Sequence, residues 1–205
     1  MTQAAPRRGR RPGAPDTRAA ILSAARELFA SSGYAGTTIR AVATAAGVDA
    51  ALVHHYFGTK DDLFLAALEV RVDPRIALAP VVDGGVDGAG ERLLRVFLSV
   101  WDDEETRLPL VGLFRGIVEP GGAQLVRDGF MRMVLGPVGA ALDLDDPDRR
   151  MMLVASQLVG IVVLRYVVRV EPLASMPGEE LVASYAPTLQ RYLSEPWAVG
   201  QPPDR

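Results

Sequence analysis

The chain contains no cysteine. That excludes a disulfide framework, thiolate metal sites and a cysteine nucleophile. It contains only two histidines, side by side within "GVDAALVHHYFGTK" at 47–60, so any imidazole chemistry is confined to that stretch. The longest apolar run, 154–168, is interrupted by Ser156, Gln157 and Arg165. It falls short of the roughly 18 uninterrupted apolar residues of a membrane span, and no membrane partner is expected. No phosphate-binding loop, HExxH motif or internal repeat is present, and two-residue hydrophobic alternation is missing throughout. Residues 1–15 are rich in Arg and Pro and lack an apolar segment. They are not expected to act as a secretory leader, and a cytoplasmic protein is expected.

What is present is enough for a packed core. Of the 205 residues, 49% are hydrophobic and 23% charged, compatible with one or two domains. The net charge of −3 is unevenly spread. Residues 1–60 hold eight basic and three acidic side chains; the remainder holds 14 basic and 22 acidic. A small basic head on an acidic body points to a polyanionic partner for the head.

Hydrophobic periodicity predicts an all-α fold. Residues 1–15 form an arm without periodicity. Asp16 or Thr17 caps a first helix, whose Ile21, Leu22, Ala25, Leu28 and Phe29 recur at helical spacing. Gly33 is placed to end it. Thr38 caps a short second helix with Ile39, Val42, Ala43 and Ala46 on one side, and Gly47 stops it. Asp49 caps a third helix over 50–57, with Val53 and Phe57 inward. Thr59 caps a fourth from Lys60, where Asp61 and Asp62 suit the positive end of the helix dipole. After a Gly-rich break at 81–90, helices are expected at 89–102, 107–118, 121–142, 147–170 and 178–193. The expected organisation is an arm at 1–15, a three-helix head at 16–60, a helical body at 61–195 and a tail at 196–205.

A short helix, a Gly-containing turn and a second short helix make a helix-turn-helix. Burial of Val53 and Phe57 leaves Ala50, Ala51, His54 and, to the side, His55 and Tyr56 for a partner. Neighbouring residues on a helix point about 100° apart, so His54 and His55 cannot chelate one metal ion well. No metal, cofactor or catalytic pair is expected. One reading packs one imidazole and solvates the other; the alternative puts both against DNA.

The segment "TRAAILSAARELFASSGYAGTTIRAVATAAGVDAALVHHYFGTKDDLFLAAL", roughly 17–68, closely resembles the N-terminal DNA-binding domain of the TetR (tetracycline repressor) family. The helix end at Phe29, Gly33 and Tyr34, the "TTIRAVA" helix, "AAGV" and the "HHYFGTKDDL" junction bear the resemblance. "LVGLFRGIVE" and "ASQLVGIVVLRYVVRVEPLA" resemble, less specifically, an actinobacterial-type subgroup of the family's ligand-binding domains. The resemblance implies that the third helix enters the major groove. Arg40, Ala50, Ala51 and His54 would then lie near base edges, with Thr38, His55, Tyr56 and Lys60 on phosphates. The chemistry is compatible: Arg forks onto guanine, Ala methyls meet thymine methyls, and helix starts at Thr38 and Lys60 favour phosphate. Two departures bear on operator sequence. The usual Ser-Lys opening the recognition helix is Asp49-Ala50, and Leu52 is apolar where the family is often small or polar. Asp49 repels phosphate but can accept from cytosine N4.

The arm residues Arg7, Arg8, Arg10 and Arg11 read either as a solubilising tail or as a minor-groove arm. The body reads as the dimerising half, because one helix-turn-helix contacts few base pairs and paired heads gain affinity. The 153–170 segment is apolar around nearly its whole circumference, either as the central helix of a monomer or as one packed on both sides. Gly160, Leu164, Tyr185, Leu189 and Tyr192, with Ala155 and Leu181, are expected at a homodimer interface. Phe97, Trp101, Leu110, Leu113, Phe114, Phe130, Met133 and Val134, with Arg115, Gln157, Arg165 and Tyr166, are expected either as plain core or, as the resemblance implies, around an effector pocket. The resulting expectation is a regulator, foremost a repressor, that binds a palindromic operator as a dimer and is released by a small, largely hydrophobic ligand. A ligand-independent DNA-binding dimer or an activator is the alternative; an enzyme is not expected.

Overall fold

The structure is a computed structural model that describes residues 16–116, 120–130, 133 and 135–196, the side chains of Val126 and Phe130 excepted. The chain divides into two compact units, Met1–Ala67 and Leu68–Arg205. All regular elements among the described residues are helical. Arg7, Arg8, Arg10, Arg11 and Val134, and the tail beyond Pro196, lie outside the described residues.

The first unit is built from α1 (Thr17–Gly36), α2 (Ile39–Ala46), α3 (Ala50–Phe57) and α4 (Lys60–Ala67). Asp16 is the cap of α1, accepting from the amide of Arg18 at 3.1 Å. Gly33, at φ +67° and ψ 177°, breaks the helical geometry within α1, as its place in the sequence predicts. The freed Gly33 carbonyl accepts from the buried Thr37 hydroxyl at 2.8 Å.

The core of this unit joins Ile21, Phe29, Val42, Val53, Leu63 and Phe64, all fully buried. Phe64 stands edge-on to Phe29 and Tyr34, with ring centroids 4.8 and 5.3 Å away. Such edge-to-face pairs add to the gain from apolar burial. The Arg26 Nε–H donates to the Ala67 carbonyl at 2.8 Å, closing the end of α4. The expected head boundary at 60 is therefore corrected. Helix α4 belongs to the first unit, because Leu63 and Phe64 complete its core.

The second unit contains α5 (Pro74–Ala77), α6 (Ala79–Asp83), α7 (Ala89–Trp101), α8 (Glu104–Arg115), α9 (Gly122–Phe130), α10 (Gly136–Ala141), α11 (Pro147–Ile161), a π-helical turn (Val162–Val167) and α12 (Gly178–Ser194). Leu93, Leu94, Val154, Leu158, Ile161, Leu181 and Leu189 anchor its core. Helices α7 and α12 pack closely where Gly90 meets Ala186 and Gln190; a Cβ on Gly90 would stand 2.6 Å from the Gln190 amide nitrogen. Arg150, only 3% exposed, donates to the Tyr192 and Glu195 carbonyls at 2.7 and 2.9 Å and satisfies the end of α12.

Three expected helices differ. Within the expected 121–142 helix, α9 and α10 are α-helical, whereas Met133 and Leu135 between them have π-helical geometry. Helix α8 starts before Arg107 because Asp103 caps it, accepting from the Thr106 amide at 2.9 Å. The 147–170 helix stays α-helical only to Ile161 and then widens into the π turn. By length and composition alone, Pro147–Val167 is long and apolar enough to cross a membrane. Its Met151, Val154, Ala155, Leu158 and Ile161 nevertheless sit in the protein core.

Candidate nucleic-acid interface

The α2–turn–α3 segment is fixed by local bonds at every junction. Thr38 Oγ1 accepts from the Ala41 amide at 3.1 Å, which sets the start of α2. Gly47, at φ +68°, turns the chain, and the Val48 amide donates back to the Ala43 carbonyl at 2.9 Å. A Cβ on Gly47 would meet nothing within 4 Å, so glycine is needed there for its backbone angle and not for space. Asp49 Oδ1 accepts from the Ala51 amide at 2.7 Å and opens α3.

With both ends fixed, the rotation of α3 follows from its two apolar anchors. Val53 is fully buried and Phe57 is 8% exposed. The other side therefore faces solvent: Ala51, His54, His55 and Tyr56 are exposed, and Ala50 and Leu52 are half-buried. Thr38, Arg40 and Asp49 are exposed beside them. The structure thus puts the nine expected DNA-contacting residues on α2, α3 and the start of α4 within one unit, with Lys60 half-buried.

Two of these side chains have internal partners the sequence does not announce. The His54 Nδ1 atom lies 2.8 Å from the Gly58 carbonyl oxygen, while the Gly58 amide donates to the His54 carbonyl at 2.8 Å. The Lys60 ammonium sits over the Tyr34 ring, 4.2 Å from its centroid. Around Lys60, Thr59 and Asp62 bond reciprocally, with the Thr59 amide donating to Asp62 and the Asp62 amide to Thr59 Oγ1, both at 3.1 Å. The Tyr34 hydroxyl donates to Asp61. The two acids expected only to suit the helix dipole thus have specific roles in holding α4.

The described part of this unit is not basic. Between 16 and 67 there are four basic side chains, Arg18, Arg26, Arg40 and Lys60, against five acidic ones, Asp16, Glu27, Asp49, Asp61 and Asp62. The positive balance of the head comes from Arg7, Arg8, Arg10 and Arg11.

In the second unit, part of the expected pocket set comes together. Trp101 meets Phe97 at 5.8 Å, Phe114 at 5.6 Å and Tyr166 at 5.3 Å between centroids. The Tyr166 hydroxyl donates to Asp102 Oδ1 at 2.8 Å, and burial with this carboxylate beside it raises the phenol's pKa above its ordinary range. Arg165 donates to the Leu173 and Met176 carbonyls at 2.9 and 2.7 Å and stands 3.5 Å from Asp102. Leu110, Leu113 and Gln157 are half-buried, Met133 is buried, and Arg115 is exposed. Asp102 was missed by sequence reasoning, since its partners lie about 64 positions away and no periodic signal joins them. An open groove of about 410 Å³ along α7 and α12, lined by Glu91, Arg95, Glu179, Val182 and Gln190, shares no residue with this cluster.

The expected interface residues divide. Leu164 is 43% exposed, and a Cβ on Gly160 would meet nothing within 4 Å. Tyr185 and Tyr192 are half-buried against the core. Leu189 and Leu181 are fully buried in their own unit, so their expected place at an interface is corrected. Helical spacing groups them with Tyr185 and Tyr192, but that face of α12 is spent on the core.

Both units are similar to known protein families. Residues 21–67 match the family described as bacterial regulatory proteins, tetR family, and residues 87–193, more than half of the chain, match the tetracyclin repressor-like C-terminal domain. Over 93 residues the chain is 38% identical to an HTH-type transcriptional repressor of Mycobacterium tuberculosis, covering 42% of this chain and 50% of that protein. Over 51 residues it is 43% identical to the HTH-type transcriptional repressor AcnR of Corynebacterium glutamicum, covering 25% and 27%. The chain spans about half the length, or less, of these curated relatives. A solved TetR-family regulator of Streptomyces coelicolor is 40% identical, covering 90% of this chain and 98% of that one, with a TM-score of 0.49. With both halves matched in order, the chain belongs to the tetR family of bacterial regulatory proteins.

Proposed function

We propose that the chain is a transcriptional repressor that acts in the cytoplasm, binds a twofold-symmetric DNA operator as a homodimer, and is released by a small, largely hydrophobic ligand. The observation that supports this most is the division of α3. Its apolar anchors Val53 and Phe57 are withdrawn, and Ala51, His54, His55 and Tyr56 face outward between two fixed helix ends. A rigid helix with a small, hydrogen-bonding outer face suits the major groove. Thr38 and Lys60, at the starts of α2 and α4, would meet phosphates. Repressors among the relatives support the sign of regulation.

Dimerisation is supported by an apolar stripe on the outer side of α11 and the π turn. Met152, Val163, Leu164 and Val168 are 51, 37, 43 and 59% exposed. Their spacing puts them along one side with Gly160, where a second helix could approach closely. An effector site at Phe97, Trp101, Phe114, Gln157 and Arg165 is supported by the aromatic cluster and the nearly buried guanidinium. By population shift, a ligand preferring a dimer with wrongly spaced recognition helices would release DNA.

A second reading is favoured by one observation. Trp101 is filled in by Phe97, Phe114 and Tyr166, as in an ordinary core. On that reading the body only dimerises, and regulation, as repressor or activator, needs no ligand. A thermal-shift panel of hydrophobic metabolites, repeated with operator DNA present, separates the two. Stabilisation of the free protein with loss of DNA binding supports the first; no shift with any compound supports the second.

A further inference from the structure

His54 is held in a way that decides which hydrogen bonds it can make. Its Nδ1 lies 2.8 Å from the Gly58 carbonyl oxygen. A carbonyl only accepts, so Nδ1 must hold the proton and donate. The contact is built into the helix end. The Gly58 amide donates to the His54 carbonyl at 2.8 Å, and Gly58 adopts φ +75°, turning its own carbonyl back to the imidazole. The ring thus satisfies a carbonyl that the end of α3 would leave open. In the neutral ring the remaining nitrogen, Nε2, is then a bare lone pair.

The position of that lone pair matters because of its neighbours. His54 is exposed and follows Ala50 and Ala51 by four and three residues, so all three share one side of α3. Nothing longer than a methyl precedes the imidazole there. In the major groove, adenine N6 and cytosine N4 are donors, whereas guanine O6 and N7 and thymine O4 are acceptors.

We propose that His54 is a specificity-determining residue whose Nε2 accepts a hydrogen bond from the exocyclic amine of adenine or cytosine and disfavours guanine and thymine at the same step. This rests on the DNA-binding reading of the site. A histidine with the other tautomer would offer an N–H and select the opposite pair of bases. The internal bond to Gly58 thereby converts an ambivalent side chain into a one-way reader.

Two measurements on the full chain test it. Two-bond proton–nitrogen correlation spectra of the free, labelled protein at pH 8 report the tautomer; a proton on Nδ1 is expected, and a proton on Nε2 overturns the inference. Sequences bound from random duplex DNA are then compared for wild type and His54→Asn. Asparagine can still donate to Gly58 from the equivalent position but has no counterpart of Nε2. One step per half-site should favour adenine or cytosine with wild type and lose that preference in the variant, the rest of the half-site being kept. Replacing that adenine by purine, or that cytosine by its analogue lacking the amine, should weaken wild type about three- to tenfold and leave the variant unaffected. An unchanged preference in His54→Asn, or undiminished wild-type binding to duplexes lacking that amine, overturns the inference while leaving the DNA-binding reading intact. If wild type retains no duplex at any salt, the DNA-binding reading falls and the inference falls with it.

Discussion

The Arg150 guanidinium donates to the Tyr192 carbonyl at 2.7 Å, joining the first turn of α11 to the last turn of α12 across 42 positions. Arg150 is 3% exposed, whereas its acidic partner Asp145 lies at the surface. The stabilisation therefore comes chiefly from the carbonyls that the arginine satisfies. Arg150→Met should leave them buried without that donor and lower the unfolding free energy by roughly 2–4 kcal/mol. Urea denaturation checks this; a change under about 0.5 kcal/mol would show that water takes the arginine's place.

Gly90 is required for space. Any Cβ there meets the backbone of Gln190 at 2.6 Å and the Ala186 carbonyl at 2.8 Å, neither of which can rotate aside. The Gln190 side chain also accepts from the Gly90 amide at 3.0 Å and donates to the Val86 carbonyl at 2.9 Å. Gly90→Ala should force α7 and α12 apart and cost roughly 1–3 kcal/mol, despite the gain in helix propensity. The same denaturation series reads it, with Gly47→Ala as a control for backbone angle alone.

Acid should weaken the second unit at Asp145, as at Asp103 and Glu179, whose carboxyls are likewise held low by hydrogen bonds. The hydrogen bond from Arg150 holds the Asp145 carboxyl below the ordinary value of 3.8. A carboxylate with a depressed folded-state pKa stabilises above the unfolded-state value and loses that contribution as pH falls through the folded one. The melting temperature should therefore decline as pH falls below 3.8. Asp145→Asn should melt lower at neutral pH and show a shallower decline on acidification. Parallel slopes for the two proteins would contradict this.

The arginine arm should supply most of the salt dependence. Residues 16–67 hold four basic and five acidic side chains, so Arg7, Arg8, Arg10 and Arg11 are the surplus. Deleting residues 1–12 should weaken operator binding and flatten the plot of log affinity against log salt by on the order of two to four units per arm. An unchanged slope in an anisotropy titration would assign the arm a solubilising role only.

Much of this molecule was legible in the sequence because its head is locally determined. Asp16, Thr38, Gly47 and Asp49 act on bonds within a few residues, and each does in the structure what its type and place predict. The outward face of α3 followed from Val53 and Phe57 alone. Residues whose roles depend on distant partners were not legible in this way. Phe64 moved α4 into the head, since its ring stands edge-on to Phe29 and Tyr34, 35 and 30 positions earlier. Leu189 was spent on the core, because the face it shares with Leu181, Tyr185 and Tyr192 packs inward. The hold of Gly58 on His54 has no sequence signature, because it depends on a carbonyl turned by a positive φ angle.

Selection of bound sequences from random duplex DNA, followed by counting chains per duplex, tests the central claim most directly. The account predicts enrichment of a twofold-symmetric site occupied by an even number of chains, with affinity that falls steeply as salt rises. No enrichment even at about 50 mM salt, or an asymmetric site filled by a single chain, would contradict it.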